Sequence, residues 1–266
     1  MNKPGTLKSI FTESSKAREI TVIGYLPAGF PDRDSFRGCV SLLSQSGIHI
    51  IEIGIPDLSP NMDGQVIADA VQETLKQGVT VDEAISLGGD AIENSRIAGV
   101  AMLYYSTLEE NGRGRILSAL KKNGFCGILV PDAPLKEIGA FSRSASDSGL
   151  QTVGFIPARA KDEEIEVIVA GTTGFIYVQS YQGTTGEQFR ANEELIRRLE
   201  KIKMLASSGK LPVAVGFGIH TNNDLKALHY AGVDGAIVGS AMVEAAGKGM
   251  EMFVRFLTGL LSDKGE

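Results

Sequence analysis

Two carboxylates carry the chemical interest of the stretch IIEIGIPDLSPNMDGQVI at 50–67, Glu52 within an apolar run and Asp63 on the segment that follows it. A carboxylate among isoleucines is costly to bury, so Glu52 faces solvent on an edge strand, pairs with a core cation, or is held inside for use. Partial desolvation raises a carboxyl pKa and suits it to exchange protons near neutral pH. Asp63 has two readings. It can cap the helix that begins just after it, or fold over the same mouth as Glu52, where a second carboxylate holds a developing positive charge.

Three glycine-bearing turns form a second constellation: SYQGTTGEQ at 180–188, GFGIHT at 216–221 and GSAMVE at 239–244. Each alone is weak. Together, following the last three strand-like runs and with a helix start near Ser240, they present backbone N–H groups and a positive dipole end to a phosphate. Neither GFGIHT nor GSAMVE contains Lys or Arg, so recognition falls to backbone amides and the Ser240 hydroxyl. Tyr104, Tyr105, Tyr177 and Phe217 stand at or near strand ends, able to stack on an aromatic ligand or to pack the core. His49, His220 and His229 lack ligand spacing, so no metal is expected and His229 reads as a helix-surface or packing residue. Asp132, in ILVPDAPL, reads as mouth chemistry or as a turn residue bonding the backbone. No Ser-His-Asp or Cys-His arrangement is apparent.

These residues need elements to position them. Eight β-rich runs recur, at 20–26, 48–55, 97–105, 126–130, 151–156, 174–179, 212–218 and 234–240, with helix-period segments between them. Phe36, Cys39, Val40 and Leu43 recur at three and four, as do Leu195, Leu199 and Ile202, with Asp32, Thr221 and Gly232 as caps. Continuously apolar strands alternating with helices predict an α/β fold: a single (β/α)₈ TIM barrel over 1–266 with an N-terminal extra helix. An open doubly wound sheet is the alternative. If Ile51 and Ile53 meet the outer helices, Glu52 points into the barrel near its C-terminal mouth, where barrel enzymes place their chemistry.

Composition sets the outer limits. The 266 residues are 43% hydrophobic, enough for a sizeable core, and a net charge of -6 without a basic block argues against nucleic acid or an anionic membrane as partner. Only Cys39 and Cys126 occur, and neither a signal peptide nor a run of about twenty apolar residues is present, so a cytoplasmic protein without a disulfide framework is expected.

Over nearly its full length the chain resembles the tryptophan synthase alpha subunit family. YLPAGFPD at 25–32 resembles the family's YLTAGDPD, the 50–67 stretch its IIELGVPFSDPxADGPVI, and QGTTG, GFGI and GAIVGSAMV its GVTG, GFGI and GAIVGSAIV. The resemblance implies a cofactor-free lyase that cleaves indole-3-glycerol phosphate to indole and glyceraldehyde 3-phosphate. On it, Glu52 and Asp63 fall on the catalytic glutamate and aspartate. Gly186, Gly218, Gly239 and Ser240 fall on the phosphate site, Tyr25, Tyr104, Tyr177 and Phe217 on the indole pocket, and Thr185 on the threonine that orients the loop aspartate. The implied partners are a small phosphorylated substrate and a beta subunit. The chain departs from the family at PDLSP, where Asp57 takes an apolar position and Ser59 replaces the aspartate that helps contact the beta subunit, and at SYQGTTG, where Tyr181 replaces an arginine. These departures leave open activity without a partner, with Asp57 bonding Gln182 across the loops, or a paralogous lyase or isomerase on another phosphorylated polyol, or a catalytically weak alpha-like binding protein.

Overall fold

The computed structural model describes residues 6–58, 62–180, 193–216 and 218–262. Its strands are β1 (Thr21–Pro27), β2 (Ile50–Gly54), β3 (Ala98–Met102), β4 (Gly127–Leu129), β5 (Gln151–Ile156), β6 (Ile176–Gln179), β7 (Val213–Gly216) and β8 (Gly235–Val238). All run parallel and pair in chain order into a closed barrel, Ile23 of β1 standing opposite Ile50 of β2 on one side and Ile237 of β8 on the other. That closure excludes the open sheet. With helices outside and side chains within, the strands are covered on both faces, which is why their apolar runs are continuous rather than alternating.

The helices among the described residues are α1 (Leu7–Ala17), α2 (Arg33–Gln45), α3 (Gln65–Lys76), α4 (Val81–Ser95), α5 (Tyr105–Glu110), α6 (Arg113–Lys122), α7 (Ile138–Asp147), α8 (Asp162–Ala170), α9 (Glu193–Ser207), α10 (Asn222–Tyr230), α11 (Ser240–Gly247) and α12 (Met250–Leu261). Their local signals act as expected. Asp32 accepts the N–H groups of Asp34 and Ser35 at 3.0 and 2.9 Å to start α2, whose Phe36, Cys39, Val40 and Leu43 are buried. Thr221 and Asp224 cap α10 reciprocally, and Gly232 follows that helix in the left-handed region at φ 72°. Two strand-like runs end sooner than their composition implies, because Tyr105 and Ser240 open α5 and α11 instead.

The extra helix α1 lies under the N-terminal end of the barrel. Leu7 packs against Gly127 and Gly174, where an added Cβ would come within 2.8 and 3.1 Å of its methyl group. Phe11 stacks at 5.3 Å on Phe175, and the Leu7 N–H donates to Gln151 Oε1 at 2.9 Å. With that end filled, the C-terminal end is left for chemistry.

Candidate active site

The direction of Glu52 follows from its neighbours. A Cβ on Gly88 of α4 would meet Ile53 at 3.2 Å, placing Ile53 on the outer face, whereas a Cβ on Gly54 would run into the Tyr25 hydroxyl, placing Gly54 on the inner one. Glu52 shares the inner face with Gly54 and stands in register beside Tyr25. Only 4% of it is exposed, and its Oε2 is buried with no hydrogen-bond partner among the described residues. Burial, aided by the charge of Asp63, raises its pKa to about 8.

Asp63 does not cap α3: the capping position is Gly64, and no side chain caps there. Its Oδ2 instead accepts a hydrogen bond from the Tyr104 hydroxyl at 2.9 Å, and the same hydroxyl accepts the Met62 N–H at 3.1 Å. Burial raises the Asp63 pKa to about 6; the Tyr104 bond opposes that rise and the charge of Asp57 adds to it. The two carboxyls therefore differ in proton affinity while lining one cavity.

Tyr25 and Tyr177 line that cavity, both with phenols held well above their ordinary pKa by burial. Tyr177 lies over Gly216 so closely that an added Cβ would come within 2.6 Å of its ring, and Phe155 meets it edge-on at 5.1 Å. Phe155, Met62, Met102, Leu129 and Ile237 also line the cavity and were not singled out from the sequence. The strand alternation offered a signal for Phe155, since it neighbours Gly154, whose missing Cβ faces Thr172 and Ile168 outside the barrel. Tyr105 differs from Tyr104: it turns from the cavity and lies under the Arg113 guanidinium at 5.8 Å.

At the end of β8, Gly239 lines the cavity and precedes Ser240, the first residue of α11. The leading N–H groups of a helix have no intrahelical partner and favour an anion. Gly218 stands just beyond β7 with φ 74°. Gly186, Thr185 and Phe217 lie outside the described residues, as do Ser59, Tyr181 and Gln182. Asp57 is buried and takes a hydrogen bond from Thr107 Oγ1, while a bond to Gln182 falls outside the described residues. Asp132 bonds the backbone: its Oδ1 accepts the N–H of Tyr105 at 2.7 Å and so caps α5 from the next strand's connection. His229 is on an exposed helix surface.

The family model described as tryptophan synthase alpha chain matches residues 11–257. The tryptophan synthase alpha chain of Methanopyrus kandleri is 33% identical over 238 residues, which are 90% of this chain and 85% of that one. That of Thermococcus kodakarensis is 34% identical over 227 residues, covering 84% and 88%. Among solved structures, a mutant tryptophan synthase alpha-subunit from Pyrococcus furiosus is 32% identical with a TM-score of 0.81, covering 91% of this chain and 97% of that one. A Mycobacterium tuberculosis tryptophan synthase chain is 28% identical with a TM-score of 0.85, covering 94% and 95%.

Proposed function

The chain belongs to the tryptophan synthase alpha chain family, and we infer from that membership that it cleaves indole-3-glycerol phosphate to indole and glyceraldehyde 3-phosphate. It is a carbon–carbon lyase of tryptophan biosynthesis, with a small phosphorylated substrate and a tryptophan synthase beta subunit as partner. The whole chain acts as one barrel domain. No described helix is long and apolar enough to cross a membrane, and the cytoplasm is the proposed location.

The observation that carries the catalytic reading is the buried Oε2 of Glu52, without a hydrogen-bond partner among the described residues, in the cavity shared with Asp63. Protonated Glu52 delivers a proton to indole C3, which places positive charge on the ring nitrogen. Ionised Asp63, oriented by Tyr104, stabilises that charge. The resulting Glu52 carboxylate then takes the proton of the hydroxyl on the adjoining side-chain carbon. As that oxygen forms the aldehyde C=O, the carbon–carbon bond breaks and its electron pair restores the aromatic indole. Glu52 ends protonated, as it began, so the acid–base cycle closes on one residue.

This assignment has a pH signature. Glu52 must hold its proton in the free enzyme and Asp63 must have lost its own, so kcat/KM should rise with pH through about 6 and fall through about 8. A profile flat across that range would remove the two carboxyls from these roles.

The phosphate is assigned to Gly186, Gly218, Gly239 and Ser240, with Tyr25, Tyr104, Tyr177 and Phe217 around the indole and Thr185 orienting the loop aspartate. Inorganic phosphate should compete with substrate. Because Gly218 has φ 74°, a conformation that strains L side chains, Gly218→Val should weaken that competition by about tenfold through strain and lost approach. Unchanged phosphate inhibition would show the cradle to be elsewhere.

The decisive assay is indole release from indole-3-glycerol phosphate by the purified chain, with and without a beta subunit. Release in either arm supports the function, and release in neither overturns it. The ratio of the two rates measures how far the chain acts alone despite Ser59, with a hundredfold stimulation corresponding to ~2.7 kcal/mol of coupling.

A further inference from the structure

Asp57 is a buried carboxylate to which the mechanism above assigns no role. It lies on the same connection as Asp63, between β2 and α3, with 7% of its surface exposed. Its partner Thr107 is 8% exposed and belongs to α5, a short helix anchored by the fully buried Leu108. The far end of the connection reaches the residue before that same helix, since Met62 N–H and the Asp63 carboxylate both bond the Tyr104 hydroxyl. Asp132 in turn holds the first N–H of α5. The connections after β2, β3 and β4 thus meet at one helix turn, and the segment bearing Asp63 is tied to it at two separate points.

We propose that Asp57 is a positioning residue for Asp63, tethering the connection after β2 to Thr107 so that Asp63 stays against Tyr104, and placing a second negative charge near it. The tether and the charge are separable. Thr107 donates and the Asp57 oxygen accepts, so an asparagine at 57 can keep the bond through its carbonyl oxygen while discarding the charge. A valine at 107 keeps the charge while removing the donor.

The charge has a readable consequence because Asp57 raises the proton affinity of Asp63. Among the described residues, the other ionisable groups bearing on the site are Glu52 from β2, Tyr25 from β1, Tyr177 from β6, and Tyr104 and Asp132 from the connections after β3 and β4. Removing the Asp57 charge leaves all of these in place.

The role rests on the lyase reading, so the experiment has one arm that needs turnover and one that does not. In the first, kcat, KM and the kcat/KM pH profile for indole release are measured for wild type, Asp57→Asn, Thr107→Val and Thr107→Ser. Thr107→Val should lose roughly 10- to 100-fold in kcat, as expected for a misplaced catalytic group, with its acid limb moved upward as Asp63 leaves the Tyr104 hydroxyl. Thr107→Ser restores the donor and should recover most of that loss. Asp57→Asn should move the acid limb to lower pH. In the second arm, the Asp63 carboxyl is titrated by carbon NMR in the substrate-free protein, where Asp57→Asn should lower the midpoint whether or not the chain turns over this substrate. An inactive wild type with the shifted midpoint would overturn the lyase reading and leave the electrostatic link standing. Wild-type kcat in Thr107→Val, or an Asp63 midpoint unmoved in Asp57→Asn, would overturn the corresponding part of the proposal. Should Thr107→Val fail to fold, Thr107→Ser no better than an Ala substitution at that position would reject the tether.

Discussion

Glu52→Gln is expected to lower kcat for indole release by roughly 10²- to 10⁴-fold while leaving KM within a small factor. The amide preserves the shape of a side chain packed beside Tyr25 on the inner face of β2, but it cannot give a proton to carbon and then recover one from oxygen. The same substitution separates lost chemistry from lost folding. An unperturbed glutamate titrates near 4.3, whereas burial raises Glu52 to about 8. The folded chain therefore binds this proton more tightly than the unfolded chain. The stability linked to that proton is complete below about pH 4 and is lost as pH rises through about 8. Glutamine has no ionised form to bury, so the variant should match wild type in Tm at acid pH and exceed it at about pH 9. Near wild-type turnover would reject the catalytic assignment, and a Tm below wild type in alkali would reject the argument from burial.

Asp63→Asn should cost roughly 10²- to 10³-fold in kcat, the scale seen when one preorganised group facing transition-state charge is removed. Asparagine can still accept the Tyr104 hydrogen bond through its carbonyl oxygen, so the connection stays placed while the negative charge facing the ring nitrogen disappears. Substrate binding should change little. The limb of the pH profile near 6 should vanish with the carboxyl, leaving only the Glu52 fall, moved to lower pH by the loss of the Asp63 charge. Tyr104→Phe makes the complementary change: the charge stays and its hydrogen bond is lost, so a smaller loss in kcat is expected, with the Asp63 limb moved upward because the Tyr104 bond favours the ionised form. Equal losses in the two variants would mean that placement, not charge, is what Asp63 supplies.

Which of the two faces of β2 is the inner one was decided by the barrel, but that Glu52 stands on the face opposite Ile51 and Ile53 was determined by local sequence, because a strand alternates its faces. The caps at Asp32 and Thr221 were legible for the same reason: each side chain bonds N–H groups within three residues of itself. The barrel was legible in the alternation of eight apolar runs with helical periods, and the resemblance in the 50–67 and glycine motifs narrowed it to one family. What only the tertiary structure decided lies between strands. Whether Asp63 caps α3 or meets Tyr104, which residue Asp57 bonds, that Asp132 starts α5, and that Phe155 abuts Tyr177 all depend on strand register and on how far each connection leans over the mouth. Thr107 and Asp57 are fifty positions apart, and no periodicity in either segment refers to the other. Burial has the same origin: a carboxyl acquires a pKa near 8 or near 6 only when the barrel closes and surrounding strands remove water from it, a property of the assembled mouth and of no single segment.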